Sequence, residues 1–192
     1  MRCIDLDELI DDTERCLVQR ACDGDATAFG ELVAHHSTSA LRVATVVLGT
    51  AEGASDAVQS ATLRAWRARG EIDPGRGFRA WYLRIVANTA RNDRRSRSRR
   101  AALAVKATAI PAVEVITPEA AAVTATDREI VLRALNRLSA EDRLVLALRF
   151  FEEMTQADIA QVLDCPIGTA KSRLSRAMAR LRKVLSSGSE GM

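Results

Sequence analysis

Helical periodicity fills two blocks of this chain and vanishes between them, and that interruption constrains the fold more than any other feature. Apolar residues recur at helical steps from Leu17 to about Arg100, lose the rhythm from Ala101 to Thr126, and regain it from Asp127 to Leu185. The middle stretch holds Pro111 and Pro118, with only Lys106, Glu114 and Glu119 as charges. Proline lacks an amide donor and disfavours a helical residue before it, so a continuous helix is not expected there. No alternating strand pattern of useful length and no internal repeat compete with this reading. The chain is therefore expected to be all-α, with two small helical domains joined by a flexible linker, a division that 192 residues can accommodate. The expected boundaries are an acidic N-terminal leader at 1–16, a first domain at 17–100, a linker at 101–126, a second domain at 127–186 and a C-terminal tail at 187–192.

Charge is distributed unevenly around a net value of +3. Met1 to Asp25 carries three Arg against eight acids, Arg91 to Arg100 carries six Arg against Asp93 alone, and Lys171 to Lys183 carries six bases and no acid. Two separate basic blocks suggest a polyanion touched twice, although either run alone could be a solvated helix face. The apolar share of 47% is too high for a disordered chain, and no stretch is long and apolar enough to suggest membrane insertion. The acidic start is the opposite of a signal peptide, so a cytoplasmic protein is expected. Cys3, Cys16, Cys22 and Cys165 form no C-x-x-C pair, and His35 and His36 are adjacent rather than at metal-ligand spacing. All four thiols are expected to be free, no metal or cofactor is expected, and a thiol or metal enzyme remains a distant alternative.

In the first block Asp25 suits the N-cap of one long helix carrying Phe29, Leu32, Val33, His36, Ala40, Val43, Ala44 and Val47, which Gly49 would end. A second helix is expected from about Glu52 to Arg69, with Val58, Ala61, Thr62, Ala65 and Trp66 on one side. The Glu71 to Gly77 segment, with Pro74, Gly75 and Gly77, reads as a loop. A third helix then starts near Phe78, turning Trp81, Tyr82, Ile85 and Val86 inward and Arg79, Arg84, Asn88, Arg91 and Asn92 outward. Trp66 and at least one of Trp81 and Tyr82 are expected to be core residues. A loop beside aromatic, Arg and Asn side chains could also hold an unpaired base.

In the second block Ser139 heads a capping box with Asp142, and Thr155 caps a short helix bearing Ile159, Val162 and Leu163. Asp164, Cys165 and Pro166 break it. The last helix, from about Ile167 to Leu185, buries Ala170, Leu174, Ala177, Met178, Leu181 and Leu185. A short helix, a tight turn and a longer basic helix make a helix-turn-helix pattern. The N-terminal turn of the last helix offers amides and the Thr169 hydroxyl to a phosphate. Lys171, Ser172, Ser175 and Arg176 can reach base edges, while Arg173, Arg180 and Arg182 meet phosphates.

Particular runs of residues then sharpen the reading. Asp56-Ala-Val-Gln59 continuing to Leu63-Arg-Ala-Trp66, with Phe78-Arg-Ala-Trp-Tyr-Leu-Arg-Ile-Val-Ala-Asn88, resembles region 2 of bacterial sigma factors. Leu138-Ser139, Thr155-Gln-Ala-Asp-Ile-Ala160 and Gly168-Thr-Ala-Lys-Ser-Arg-Leu174 resemble region 4. The spacing and the absence of other regions are similar to the extracytoplasmic-function (ECF) group. The resemblance implies an alternative sigma factor, without enzymatic activity or cofactor, that directs core RNA polymerase to promoters and assists melting. Its partners would be the clamp and flap regions of core polymerase, promoter DNA and an anti-sigma factor. By that similarity Asp56, Gln59, Ser60 and Leu63 would dock on the clamp coiled coil of the largest subunit. Asp73, Arg76, Phe78, Arg79, Trp81, Arg84, Asn88, Arg91 and Arg95 would engage the minus-ten element. Thr169, Lys171, Ser172, Arg173, Ser175, Arg176 and Arg180 would read the minus-thirty-five element. Ser60 stands where relatives often have Glu, and Asp164 where a Gly is common. A stand-alone helix-turn-helix regulator is the alternative, which would bind duplex DNA without polymerase.

Overall fold

The computed structural model describes residues 6–73, 76–104 and 134–189, with side chains at 13–73, 76–99 and 134–186. All regular elements among them are helical. The first domain comprises α1 (Leu6–Cys22), α2 (Ala26–His35), α3 (Ser37–Leu48), α4 (Ala54–Arg67), a 3-10 turn (Arg69–Glu71) and α5 (Phe78–Ala104). The second comprises α6 (Ala140–Phe150), α7 (Gln156–Val162) and α8 (Ile167–Ser189).

The acidic leader is not a separate tail, because α1 runs through the expected 16/17 boundary. Its Glu14 carboxylate accepts the Phe78 amide of α5 at 3.3 Å and lies 3.7 Å from His36 Nε2. A carboxylate at a helix N-terminus satisfies an orphan amide and opposes the helix dipole, which gives this acid a structural role. The 100/101 boundary likewise falls inside α5. The linker from residue 105 onward, the start of the second domain through 133, Pro74, Gly75 and 190–192 lie outside the described residues.

The expected single helix after Asp25 is two. Asp25 caps α2 as anticipated, its Oδ1 accepting the Thr27 and Ala28 amides at 2.9 and 3.1 Å. At His36 the backbone turns to φ −99°, ψ 9°, and α3 begins anew. The break delivers the His36 ring into the interior, where it stacks on Phe78 with centroids 5.7 Å apart. Periodicity continues through such a break because the same face stays inward. Gly49 closes α3 in the left-handed region at φ 79°, where a side chain would be strained.

Ala54, Ala57, Ala61 and Ala65 line the buried face of α4, and these small side chains let it lie close against α3 and α5. Phe78 sits among Phe29, His36, Trp81 and Tyr82, with the Phe29 ring edge-on at 5.8 Å and the Tyr82 ring stacked at 5.2 Å. The Tyr82 hydroxyl meets Thr62 Oγ1 at 2.7 Å, so the buried phenol keeps a partner; burial pushes its pKa up. Trp66, expected in the core, is half-buried: Phe29 packs edge-on beneath it and the Arg69 guanidinium covers its ring at 4.4 Å.

In the second domain Ser139 Oγ accepts the Asp142 amide at 3.1 Å, and Thr155 with Asp158 forms a complete capping box. Leu144, Leu148, Ile159 and Ala177 form the centre of this small core. Asp164 adopts φ 52° between α7 and α8, a left-handed turn that Asp tolerates better than most residues. The two domains are not merely tethered: α3 packs on α6, and α5 on α7.

Candidate nucleic-acid and polymerase interfaces

The clamp-docking set occupies one face of α4. Asp56, Gln59, Ser60 and Leu63 recur at steps of three, one and three, opposite the buried alanines, and all four are exposed. Leu63 is 62% exposed, a large apolar side chain held in water on a well-packed helix.

The minus-ten set divides in three. Phe78 is fully buried and Trp81 is 8% exposed, so in this fold the two rings expected to engage the minus-ten element sit in the core rather than open to a base. The helix starting at Phe78 turns both rings into the α2–α5 core, and the hydrophobic return from burying two aromatics exceeds that of leaving either open. Asp73 and Arg76 form an exposed pair at 3.3 Å in the loop, and Arg95 is exposed further along α5. Arg79, Arg84 and Arg91 point toward the second domain. Arg79 donates to Glu152 Oε2 at 2.6 Å and to its carbonyl at 2.9 Å, Arg84 to Asp164 Oδ2 at 2.9 Å, and Arg91 approaches Glu141 at 3.9 Å. Asn88 accepts from Arg91 at 3.0 Å. Burial lowers the Arg91 pKa, with Glu141 opposing and Arg173 and Arg95 adding to the effect.

The minus-thirty-five set is on α8. Lys171, Ser172, Ser175 and Arg176 are exposed, while Thr169 and Arg173 are half-buried. The Thr169 and Ala170 amides donate to Pro166 O at 2.8 and 3.1 Å, so the first-turn amides expected for a phosphate are partly used internally. Arg180 reaches back to both Asp142 oxygens at 2.8 Å. With Arg173 and Arg176 it borders a cleft of about 250 Å³ that also touches Glu141 and Asp142. A guanidinium paired to both oxygens of one carboxylate is held in a fixed orientation.

Sequence reasoning missed Glu152, Ser39 and Arg42. The Glu152 carboxylate is 1% exposed and accepts from Arg42 and Ser39 of α3 as well as Arg79 of α5. Adjacent acids at Glu152 and Glu153 in a turn read as solvated, and no sequence pattern separates the buried one from the exposed one. The turn itself is braced: the Met154 amide donates to Leu148 O at 3.0 Å, Arg149 to Met154 O at 3.0 Å, and Glu153 takes φ 53°.

Cys16, Cys22 and Cys165 are free, and Cys3 lies outside the described residues. Burial pushes the Cys22 thiol up, away from the thiolate a nucleophile requires. Among the described residues no group of His, Cys, Asp and Glu could hold a metal ion, and no helix is long and apolar enough to cross a membrane.

Comparison with known proteins agrees with this layout. Residues 32–100 match the Sigma-70 region 2 family model and residues 128–181 the Sigma-70 region 4 model. The chain is 32% identical to the RNA polymerase sigma-H factor of Pseudomonas aeruginosa over 187 residues, covering 92% of this chain and 96% of that protein. It is 30% identical to the ECF RNA polymerase sigma-E factor of Escherichia coli K12 over 173 residues, covering 86% and 90%. Among solved structures, the sigma factor RpoE of Bartonella quintana in complex with the anti-sigma factor NepR matches with a TM-score of 0.68 at 27% identity, covering 82% of this chain and 96% of that one. CnrH in complex with the cytosolic domain of CnrY matches with a TM-score of 0.63 at 29% identity, covering 91% and 98%. Two region models in the expected order and full-length similarity to sigma-H and sigma-E factors establish that the chain belongs to the ECF group of RNA polymerase sigma factors.

Proposed function

We propose that this alternative sigma factor docks on core RNA polymerase through the α4 face and reads promoters with α5 and α8, as a specificity subunit without catalysis or cofactor of its own, in the cytoplasm. The observation that carries this reading is the exposed Asp56, Gln59, Ser60 and Leu63 face, set apart from both basic helices on the far side of an alanine-packed helix. A protein so built can hold polymerase and DNA together.

The Asp73 to Gly77 loop and α5 would take the minus-ten strand. Unstacking a base costs a few kcal/mol, which contacts made only to an extruded base can offset without ATP. Because Phe78 and Trp81 are buried, cations and amides along α5 would do this rather than those rings. On α8, Lys171, Ser172, Ser175 and Arg176 would contact base edges of the minus-thirty-five element, with Arg173 and Arg180 on phosphates and the Thr169 hydroxyl nearby. The second domain would also meet the polymerase flap. The Bartonella quintana relative is bound to the anti-sigma factor NepR, and an anti-sigma factor is the expected inhibitor here. Run-off transcription with core polymerase on a genomic promoter library tests the reading: defined transcripts dependent on this chain are expected, and none on any promoter would refute it.

A further inference from the structure

The α5 surface assigned to the minus-ten strand is already occupied by the protein itself. Arg79, Arg84 and Arg91 all reach from α5 to the second domain, and each meets an acid there: Glu152 from the α6–α7 turn, Asp164 from the helix-turn-helix turn and Glu141 from the start of α6. Carboxylates and phosphodiesters compete for the same guanidinium forks. The three contacts are unequal. Asp164 is exposed with Arg84 only half-buried, and Arg91 to Glu141 is long, so both pairs contribute little in water. Glu152 is different: it is buried between α3 and α5, with Ser39, Arg42 and Arg79 all on its carboxylate and a second Arg79 bond on its carbonyl. A buried charge persists only where its partners replace water, and here two guanidinium groups and a hydroxyl do so.

The seam also carries the α3–α6 and α5–α7 packing, and beside it a crevice of about 730 Å³ opens between the domains at Arg76, Arg84, Gln161 and Asp164. Interfaces between domains of one chain resemble transient ones, in which relative motion is the default. The clamp-docking face lies outside this seam and stays exposed.

We propose that the second domain is a built-in competitor for the minus-ten strand, latched by Glu152 in the Ser39–Arg42–Arg79 socket, so that the free chain offers polymerase an open docking face while withholding its melting surface. This rests on the minus-ten assignment above for its consequence, but not for the latch. Opening the latch exposes Arg79, Arg84 and Arg91 together, which couples domain separation to strand capture.

Two substitutions outside the proposed DNA-reading set test it on the full chain. Glu152→Gln removes the latch charge, and Arg42→Glu opposes Glu152 from the other domain. Both are expected to raise the radius of gyration in small-angle X-ray scattering and to tighten binding of a fluorescein-labelled single-stranded 30-mer DNA of mixed sequence about tenfold. Arg42→Glu is the sharper test, because it makes the protein more acidic and should nevertheless bind the polyanion more tightly. Glu153→Gln, the exposed neighbour with the same charge change, should behave as the wild type in both measurements, and circular dichroism melts establish that each variant is folded. Compact, folded variants with unchanged DNA affinity would overturn the proposal. Expanded variants that still fail to bind DNA would leave the latch standing as a domain contact and refute the minus-ten role of α5 together with the competition built on it.

Discussion

The two arginine-rich helices, α5 and α8, look alike in sequence and differ in the folded chain. On α8, Lys171, Ser172, Ser175 and Arg176 face solvent, and Arg180 is paired only within its own domain, to Asp142. On α5, Arg79, Arg84 and Arg91 are held by acids of the opposite domain, and two of the aromatics beside them are core. Basic composition therefore reports a capacity for polyanion binding, whereas availability is set by which acids the fold brings across. The Asp56, Gln59, Ser60 and Leu63 face of α4 marks the contrast from the other side, since it is neither basic nor covered.

The sharpest way to break the comparison is Phe78→Ala. If the first turn of α5 is packing rather than reading, removing this fully buried ring should destabilise the first domain by about 3 to 5 kcal/mol in urea unfolding. A stable variant with impaired promoter opening would instead return Phe78 to the DNA-contacting set. Next in size, Arg176→Ala should cost roughly 1 to 3 kcal/mol at one base position of the promoter, while Arg180→Ala should weaken binding across sequences and lower the salt slope by about one, both read by holoenzyme binding titrations. Equal losses from both on every promoter would show that α8 does not divide its labour.

Smaller again, Leu63→Ala should weaken core polymerase association by about 1.5 kcal/mol, the scale of one apolar side chain lost from an interface, with Gln59→Ala acting in the same direction. Neither should alter the midpoint of urea unfolding. Polymerase association unchanged in both would remove α4 as the docking face.

The smallest effect concerns Glu14. Its pKa is lowered, first by His36 and also by the Phe78 amide, against a burial that raises it. A depressed folded value means the group stabilises the protein above its ordinary value of 4.5, and the contribution is lost as pH falls through the lower folded value. Glu14→Gln should therefore cost about 1 kcal/mol at neutral pH, with the difference from wild type closing in acid. A difference that persists unchanged at acid pH would assign the loss to packing instead.

Much of this was legible from residues alone. The Asp25, Ser139 and Thr155 caps are local chemistry, written within three or four residues; all three side chains cap their helices, but the reciprocal capping box read at Ser139 and Asp142 forms at Thr155 and Asp158. The α4 face was legible because a 3.6-residue period separates its alanines from Asp56, Gln59, Ser60 and Leu63. The His36 break was not, since two helices that share an inward face keep one period and only the stacking on Phe78 reveals the turn between them. Trp81 was ambiguous for the complementary reason: an aromatic on a helix can pack or stack on a base, and periodicity does not weigh the two.

The sequence by itself determined two helical domains, their caps, the exposed face of α4 and the family to which the chain belongs, because these depend on contacts between near neighbours or on motifs that travel as short runs. Only the tertiary structure decided that α1 anchors α5 through Glu14, that Phe78 and Trp81 are interior, and that Glu152 closes the second domain over Arg79. Those facts join residues tens of positions apart. A charge pattern along a chain carries no information about which opposite charge it will meet across a fold.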